Sequence, residues 1–392
     1  MIAFTFPGQG SQQPAMGSAW LDHPSWELVD EASAAAGRDV ARLLLEADAD
    51  ELRATRNAQL ATFVTSLVVL DAVERIGVEP GAVAGHSLGE YTALVASGAL
   101  SFEDGVTLVT ARGEAMQAAA EARAGTMAAV LGLDDDKVEV ACARVDEDVW
   151  VANYNAPGQV VIAGSPDGVE AATATAKDLG AKKVMAVAVS GAFHTPYMSP
   201  ARDELRAALA TADLRAPELP VFANVDASVH IGGDEWPTLL GAQLCSPVRW
   251  RQTLHHLEES GVRTLVELGA GKVLSGMAKR TVSAGCRTLN VATPDDLDRL
   301  LESIARPAAS AAGTHEGEHL FATERVVVSP SAGVFRPADG VGSGRVLEPG
   351  DVVGQVGDDE VRSPFAGTIM GMLTDDGERV AAQEPIAWLR VG

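Results

Sequence analysis

The sequence predicts an α/β protein built on a parallel sheet, followed by a small all-β domain. Short apolar strands alternate with helical patterns over most of the chain, and a Val-rich segment with Gly and Pro turns ends it. The alternation is interrupted by a stretch in which the order of elements changes to β-α-β-β-α-β. Because 392 residues exceed what one hydrophobic core usually serves, we expect more than one domain.

The N-terminal segment predicts the beginning of the parallel sheet. Ile2–Phe6 and Ala82–Gly85 are short apolar runs, which are typical of buried strands. Ser25–Ala36 and Leu60–Ile76 have the periodicity of helices. Strands that alternate with helices in this way favour a sheet of parallel strands with helices packed against it.

An inserted subdomain is predicted from Gly125 onward. Its elements are expected, in chain order, at Thr126–Leu131, Asp134–Val145, Trp150–Asn155, Gln159–Ala163, Pro166–Leu179 and Lys183–Val189. Their β-α-β-β-α-β order is that of a ferredoxin-like unit. We therefore expect a ferredoxin-like subdomain at 125–189 between two parts of the α/β core, 1–124 and 190–305. In the second part, a helix is expected at Met198–Ala212 and a strand at Val262–Glu267.

The C-terminal segment contains an internal repeat. Small and polar residues at 306–323 predict a linker, and the repeat follows at 324–392. Ser329–Gly333 (SPSAG) recurs as Ser363–Gly367 (SPFAG), and PGDVVGQV and QEPIAWLR follow at the same spacing. Two β-rich halves with equal internal spacing predict a quasi-symmetric sandwich.

Composition excludes several classes of function. The net charge of −24 argues against nucleic acid and anionic membranes as partners. The N-terminal MIAFTFPGQGSQ lacks the features of a signal peptide, and no stretch has the ~20 apolar residues of a membrane span. The three cysteines are widely spaced, which indicates free thiols and no zinc site. We expect a soluble cytoplasmic protein without a metal.

Ser87 is the candidate nucleophile. It lies in Gly85-His86-Ser87-Leu88-Gly89, between a predicted strand and an apolar helical pattern. This is the arrangement of a nucleophile elbow, in which glycines permit a strained turn and the amide after the serine faces a developing oxyanion. It predicts a hydrolase-like parallel-sheet domain. The alternative is a turn serine that caps the following helix.

Two further stretches bear on this chemistry. Gly8-Gln9-Gly10 follows the first predicted strand and lacks the glycine spacing of nucleotide-binding loops. A serine nucleophile also needs a base. Among the eight histidines, His194 follows a predicted strand and opens a loop before Pro196, where α/β enzymes place catalytic groups. Spacing alone leaves the other histidines open.

Motifs along the chain together resemble malonyl-CoA:acyl-carrier-protein transacylases. They are FPGQGSQ from Phe6, GHSLGEY from Gly85, Arg112-Gly113, NYNAPGQVVIAG from Asn153, AFHT from Ala192 and Gln243-Leu244. The resemblance covers roughly residues 1–305, and it departs from the family where Gly269-Ala270-Gly271-Lys272 replaces Gly-Pro-Gly-Lys. It implies transfer of malonyl from malonyl-CoA to the phosphopantetheine thiol of acyl carrier protein, for fatty acid or polyketide synthesis. A serine esterase or thioesterase that uses the same elbow is the alternative.

The resemblance also implies catalytic roles. Ser87 would form a malonyl-enzyme intermediate, and His194 would accept its proton. The main-chain carbonyl of Gln243 would orient His194, so no acid of a triad is required. The backbone amides of Gln9 and Leu88 would form the oxyanion hole.

The acyl pocket follows from the same resemblance. Arg112 would hold the malonyl carboxylate through a bidentate pair, although an arginine on a helix is commonly a snorkelling side chain. Leu88 and Phe193 favour malonyl, since a bulky phenylalanine excludes an α-methyl branch. Asn153, Asn155 and Met116 are further candidates for substrate contact.

Residues 324–392 resemble a biotinyl/lipoyl-like hammerhead domain, with Arg362–Ile369 (RSPFAGTI) matching the start of its second half. Such domains carry a cofactor on a lysine at a hairpin tip. Here the hairpin reads Gly357–Glu360 (GDDE), and no lysine follows Lys279. We therefore expect no cofactor and a role in docking an unidentified protein, in assembly or in solubility, between which the sequence does not decide.

Because acyl carrier proteins are acidic, an acidic enzyme needs a local basic surface to attract one. We expect that surface to be a set of basic residues near the mouth of the active site, namely Lys182, Lys183, Lys279 and Arg280.

Overall fold

The computed structural model describes residues 1–189, 191–305, 324–338, 340–357, 359–382 and 384–390. They form two compact units, Met1–Pro307 and Ala308–Gly392. The predicted linker, 306–323, lies outside the described residues.

The first part of the α/β core begins with strand β1 and ends with a long helix. Its elements are β1 (Ile2–Phe6), α1 (Glu27–Ala36), α2 (Val40–Leu45), α3 (Ala49–Arg53), α4 (Thr55–Arg75), β2 (Ala82–Gly85), α5 (Gly89–Ala96) and α6 (Phe102–Ala122). Helix α4 begins at Thr55, before the predicted Leu60, because the Thr55 amide donates to Gln117 Oε1 at 2.8 Å. A 3-10 turn at Pro24–Trp26 replaces the predicted start of α1.

The inserted subdomain has the predicted order of elements. They are β3 (Thr126–Leu131), α7 (Asp135–Ala143), β4 (Val149–Ala156), β5 (Gln159–Gly164), α8 (Pro166–Asp178) and β6 (Lys183–Ala186). The sheet order is β4-β5-β3-β6, and each neighbouring pair is antiparallel, as in a ferredoxin-like sheet. Strand β6 ends before the predicted Val189, and Val187 and Val189, which follow it, line a cavity.

The rest of the core completes the parallel sheet. Its elements are α9 (Ser199–Leu209), β7 (Val221–Phe222), β8 (Val229–His230), α10 (Trp236–Gln243), α11 (Trp250–Glu259), β9 (Thr264–Leu268), α12 (Val273–Ala278), β10 (Arg287–Val291) and α13 (Asp295–Ala305). The sheet order is β10-β9-β1-β2-β7-β8, with every pair parallel except β7–β8. The α/β class and the parallel sheet are therefore confirmed.

The register of the sheet brings two predicted motifs together. Strands β1 and β2 are parallel neighbours, with Phe6 opposite Gly85. Because both strands end at the same edge, the loop at Gly8–Gly10 adjoins the turn at Ser87. Helix α4 packs behind this edge and is buried almost all round, which explains its long apolar run. This is the carboxyl end of the sheet, where α/β proteins bind ligands.

The described residues of the C-terminal unit form two four-stranded sheets. Its strands are β11 (Glu324–Val328), β12 (Gly333–Pro337), β13 (Val346–Leu347), β14 (Val352–Val356), β15 (Asp359–Arg362), β16 (Gly367–Met372), β17 (Arg379–Val380) and β18 (Pro385–Arg390). The sheet orders are β11-β18-β16-β13 and β15-β14-β12-β17. A shift of four strands along the chain converts one order into the other, which is the symmetry that the repeat predicts.

The repeat is also visible in matching hydrogen bonds. Ser329 Oγ donates to the Ser331 carbonyl at 2.6 Å, and Ser363 Oγ donates to the Phe365 carbonyl at 2.8 Å. Both serines are buried. The predicted all-β domain with two similar halves is therefore present.

Within the described parts of the chain, no helix is long and apolar enough to cross a membrane. The same residues contain no group of three or more His, Cys, Asp or Glu side chains that could hold a metal ion.

Candidate active site

Ser87 lies at a strained turn between β2 and α5. Its φ of 53° is in the left-handed region, where non-glycine residues are uncommon. A Cβ at Gly85 would lie 1.8 Å from the Gly89 carbonyl oxygen, and one at Gly89 would lie 2.0 Å from that of Phe6. The glycines are therefore required by the close approach of the backbone, and the turn has the geometry of a nucleophile elbow.

The Ser87 hydroxyl contacts the imidazole of His194. Ser87 Oγ lies 2.8 Å from His194 Nε2, and His194 Nδ1 lies 2.8 Å from the main-chain oxygen of Gln243. Because a carbonyl only accepts, Nδ1 carries the proton and the Nε2 lone pair faces Ser87. Burial, and next the charge of Arg112, lower the pKa of His194 to about 3. The imidazole is thus neutral at neutral pH.

Arg112 extends from α6 to the same hydroxyl. Its Nη2 donates to Ser87 Oγ at 3.1 Å and to Gln243 Oε1 at 2.8 Å, and its Nη1 donates to Gln59 Oε1 at 2.7 Å. The residue is 1% exposed, so it is not a snorkelling side chain. Burial lowers its pKa from the ordinary value. The side-chain oxygens that accept its hydrogen bonds are neutral, and Nε has no hydrogen-bond partner among the described residues. The site thus contains a buried cation with capacity for an anion.

The loop after β1 is pressed against the elbow. A Cβ at Gly8 would lie 2.4 Å from the His86 carbonyl oxygen, so only glycine fits there. This contact sets Gln9 beside Ser87, and both line one cavity. Within the described residues, neither the Gln9 amide nor the Leu88 amide donates to a protein acceptor. Both N–H groups are therefore available to an oxygen at Ser87.

A cavity of about 240 Å³ opens from Ser87 toward the inserted subdomain. Its lining includes Met116, Phe193, Asn153 and Asn155. The Oδ1 atom of Asn155 lies 2.9 Å from His86 Nε2. The Leu88 side chain instead packs in the hydrophobic core and is fully buried. From the subdomain, apolar side chains complete the wall, namely Met127, Ala129, Val161, Val187 and Val189. Most of the cavity surface is therefore apolar.

Sequence reasoning missed three polar residues of the site. Asn224 Oδ1 accepts the Ser87 amide at 2.6 Å, and Asn224 Nδ2 donates to the Gly85 carbonyl at 2.7 Å, so Asn224 fastens the elbow. Gln59 is an acceptor for Arg112, and Glu90 is a buried carboxyl of α5. A polar residue within an apolar helix was the available signal for Gln59 and Glu90. Asn224 follows β7, a two-residue strand that the sequence did not predict, so no sequence signal indicated it.

The chain has an acyl transferase domain, since a family model described as "Acyl transferase domain" matches residues 3–306. The malonyl CoA-acyl carrier protein transacylase of Bacillus subtilis strain 168 is 42% identical over 308 residues, which are 77% of this chain and 97% of that relative. Residues 3–306 therefore belong to the family of malonyl-CoA–acyl carrier protein transacylases.

Solved structures agree with this assignment. That of an acyl-carrier-protein S-malonyltransferase from Burkholderia pseudomallei 1710b is 42% identical and has a TM-score of 0.74, covering 77% of this chain and 99% of that chain. A malonyl-transacylase in complex with a type II PKS acyl-carrier protein is 36% identical and has a TM-score of 0.74, with coverage of 77% and 99%.

Proposed function

We propose that the chain transfers malonyl from malonyl-CoA to the phosphopantetheine thiol of acyl carrier protein through a malonyl-Ser87 intermediate, supplying extender units for fatty acid or polyketide synthesis. One observation carries this proposal. The hydroxyl of Ser87 lies 2.8 Å from a neutral histidine nitrogen and 3.1 Å from a buried guanidinium. A nucleophile placed beside a buried cation favours an acyl group that carries its own anion.

In the first half of the reaction, Ser87 Oγ attacks the thioester carbonyl and His194 Nε2 takes the hydroxyl proton. The amides of Gln9 and Leu88 donate to the carbonyl oxygen as it becomes negative. The C–S bond then breaks, and the CoA thiolate leaves with the proton from His194. The Gln243 carbonyl keeps the imidazole in the required tautomer throughout.

In the second half, the carrier's thiol gives its proton to His194 and its sulfur attacks the malonyl ester. The Ser87–Oγ bond to the acyl carbon breaks, and the proton returns from His194 to Ser87. No net proton is gained or lost over the cycle. The same base and oxyanion donors therefore act in both halves, as ping-pong transfer requires.

Arg112 selects the acyl group and also affects the base. The malonyl carboxylate would replace the amide oxygens that Arg112 contacts in the free enzyme, and it would form a bidentate pair. An acetyl group offers the guanidinium no anion. The carboxylate would also cancel part of the Arg112 charge that lowers the pKa of His194, so the bound substrate strengthens the base.

The alternative function is hydrolysis by the same serine. His194 is oriented by a carbonyl and not by an acid, and most of the cavity surface formed by the described residues is apolar, which favours exclusion of the water that hydrolysis needs. Transfer and hydrolysis are distinguished by incubating the protein with malonyl-CoA in the presence and absence of carrier. Malonyl-carrier formed without much free malonate supports transfer. Free malonate formed at an equal rate without carrier would support the hydrolase.

Carrier docking is proposed to use the predicted basic residues. Lys279 and Arg280 directly follow α12, whose Val273 and Met277 line the cavity. Lys182 and Lys183 are also exposed. Lys183 is the first residue of β6 and Lys182 directly precedes it, and Val187 and Val189, which follow this strand, line the cavity too. Within the described chain these lysines form no salt bridge, so their charges are available to an acidic partner.

The test of this docking surface is charge reversal. Lys279→Glu is expected to raise KM for the carrier several-fold and to make it less sensitive to salt, with kcat unchanged. Lys177→Glu, an exposed lysine of α8 outside the cavity lining, is the matched control. Equal KM values in the two variants would contradict the proposal.

For the C-terminal unit we propose a biotinyl/lipoyl-like domain that carries no cofactor and docks a protein. Support comes from its two sheets, whose strand orders are related by a shift of four strands, and from the position of the β14–β15 hairpin between its two halves. The described part of that hairpin includes Gly357 and Asp359, and no lysine follows Lys279 in the sequence. The free thiols of Cys142 and Cys286, both buried, fit our further proposal that the protein works in the cytoplasm.

A further inference from the structure

We propose that Asn224 is a positioning residue that holds the turn at Ser87 in the conformation from which the serine attacks. The inference rests on the proposed function, because it concerns the acylation of Ser87. The described residues that line the cavity do not include Asn224, so its effect on the reaction is through the turn and not through contact with the substrate.

The carboxamide of Asn224 joins the two sides of the turn. Its Oδ1 accepts the Ser87 amide at 2.6 Å, and its Nδ2 donates to the Gly85 carbonyl at 2.7 Å. Both partners are main-chain groups, and because one only donates and the other only accepts, a single orientation of the carboxamide satisfies both. Asn224 is 1% exposed, so water does not compete for these bonds. The side chain therefore ties the end of β2 to the nucleophile.

The strained backbone of Ser87 needs such a tie. Its φ of 53° lies in the left-handed region, and a strained conformation persists only where the surrounding structure holds it. Relaxation of the turn would move Ser87 Oγ away from His194 Nε2, which lies 2.8 Å from it. It would also move the amide of Leu88, the next residue of the turn. Both the nucleophile and one oxyanion donor therefore depend on the tie.

Asn224 is itself held by contacts of its main chain. Its amide donates to Glu90 Oε1 at 3.1 Å, and its carbonyl accepts the Arg249 amide at 2.9 Å. It also follows β7, where Phe222 lies opposite Ala84 of β2. None of these contacts involves the nucleophile, so the carboxamide is a fixed support for the turn and does not merely follow it.

The consequence of removing this support is kinetic. Loss of the carboxamide would displace the Ser87 hydroxyl from its base, whereas Arg112 would keep its hydrogen bonds to Gln59 and Gln243. The residues that line the cavity would also be unchanged. The Asn224→Ala variant should therefore bind malonyl-CoA as wild type does and be acylated more slowly.

The experiment measures acylation of Ser87 in the full-length protein by rapid quench over a range of malonyl-CoA concentrations. Asn224→Ala is expected to lower the rate constant at saturation at least about tenfold, with the half-saturating concentration unchanged within about twofold. Burial raises the pKa of Glu90 to about 7, and the hydrogen bonds from Gln243 and Asn224 oppose that rise. The proteins are therefore compared at one pH well above this value, where Glu90 is ionised in each.

The matched control is Asn57→Ala. Asn57 is 8% exposed, and its carboxamide also donates and accepts, since Nδ2 donates to the Glu51 carbonyl at 2.9 Å and Oδ1 accepts from Arg38. It lies on α4, and the described lining of the cavity does not include it. This variant is expected to lose stability in urea unfolding and to keep wild-type acylation. An equal fall of the rate constant in both variants would overturn the inference.

A second variant and a second reagent keep the test decisive. If Asn224→Ala does not fold, Asn224→Ser replaces it, because the shorter hydroxyl side chain cannot reach both main-chain groups, and the same slow acylation is expected. A fluorophosphonate probe needs no malonyl site: the Ser87 Oγ–phosphorus bond forms, fluoride leaves and His194 takes the proton. It is expected to label the Asn224 variants at least about tenfold more slowly than wild type.

A wild-type rate constant with either reagent in a folded Asn224 variant overturns the inference. If wild type reacts with the fluorophosphonate and not with malonyl-CoA, the proposed function fails, and labelling by the probe still tests the role of Asn224. The two failures are therefore distinguishable.

Discussion

Replacing Arg112 by methionine tests the selection of the acyl group. The guanidinium is 1% exposed and has hydrogen bonds to Gln59, Gln243 and Ser87, so methionine of similar length fills its place without charge. A malonyl carboxylate bound there would lose its buried partner, at a cost of roughly 3–5 kcal/mol. That cost corresponds to a loss in kcat/KM for malonyl-CoA of about a hundredfold to a few thousandfold.

The measured quantity is the ratio of kcat/KM for malonyl-CoA to that for acetyl-CoA, with CoA release followed in the presence of carrier. Loss of the bond to Ser87 affects both substrates and cancels in the ratio, so the expected fall reports on the carboxylate alone. Arg56→Met is the matched control, since Arg56 is half-exposed and pairs with Glu114. It is expected to leave the ratio unchanged. A folded Arg112→Met variant with the wild-type ratio would refute the proposed pairing.

Three further outcomes are expected. The Cβ of Gly8→Ala would lie 2.4 Å from the His86 carbonyl oxygen, so this variant should displace the Gln9 amide and lower kcat at least tenfold for malonyl and acetyl alike. The control is Gly276→Ala, which has open space around it and should keep the wild-type kcat. Equal kcat values for the two variants in steady-state assays would contradict this prediction. The pKa of Glu90 is about 7 when folded and ordinarily near 4.5, so the folded state binds more protons between these values. The free energy of unfolding of wild type should therefore fall by up to about 3 kcal/mol relative to that of E90Q as pH rises through that range. Urea-unfolding free energies that change with pH by the same amount in both proteins would contradict this prediction. Finally, the intact mass of the full chain from cells with active biotin and lipoate ligases should equal the sequence mass, and any added biotinyl or lipoyl group would disprove the proposal of a domain without cofactor.

The sequence predicted the architecture well because its signals are local. Strand and helix patterns determine the α/β core, the order of the inserted subdomain and the two β-rich halves. Boundaries were less accurate where a distant contact sets them. Helix α4, for example, begins early because Gln117 of another helix accepts the Thr55 amide.

In the candidate site too, residues in local motifs were predicted and residues whose roles depend on distant contacts were not. Ser87 and the glycines around it form a short motif, and the resemblance supplied His194, Gln243 and Arg112. In the structure His194 and Arg112 each contact the Ser87 hydroxyl, and Gln243 contacts both of them. Glu90 and Asn224 could not be assigned roles from sequence, because their function depends on which distant group each hydrogen bond reaches. Asn224 and Ser87, for instance, are 137 residues apart.

In the proposed reaction, malonyl is carried on Ser87. The most direct measurement is a rapid quench of the full-length protein with malonyl-CoA, followed by mass analysis of the peptide that contains Ser87, before and after carrier is added. We expect one malonyl group on that peptide, its disappearance as malonyl-carrier forms, and no adduct in Ser87→Ala. Transfer to carrier at the wild-type rate by Ser87→Ala would contradict the account.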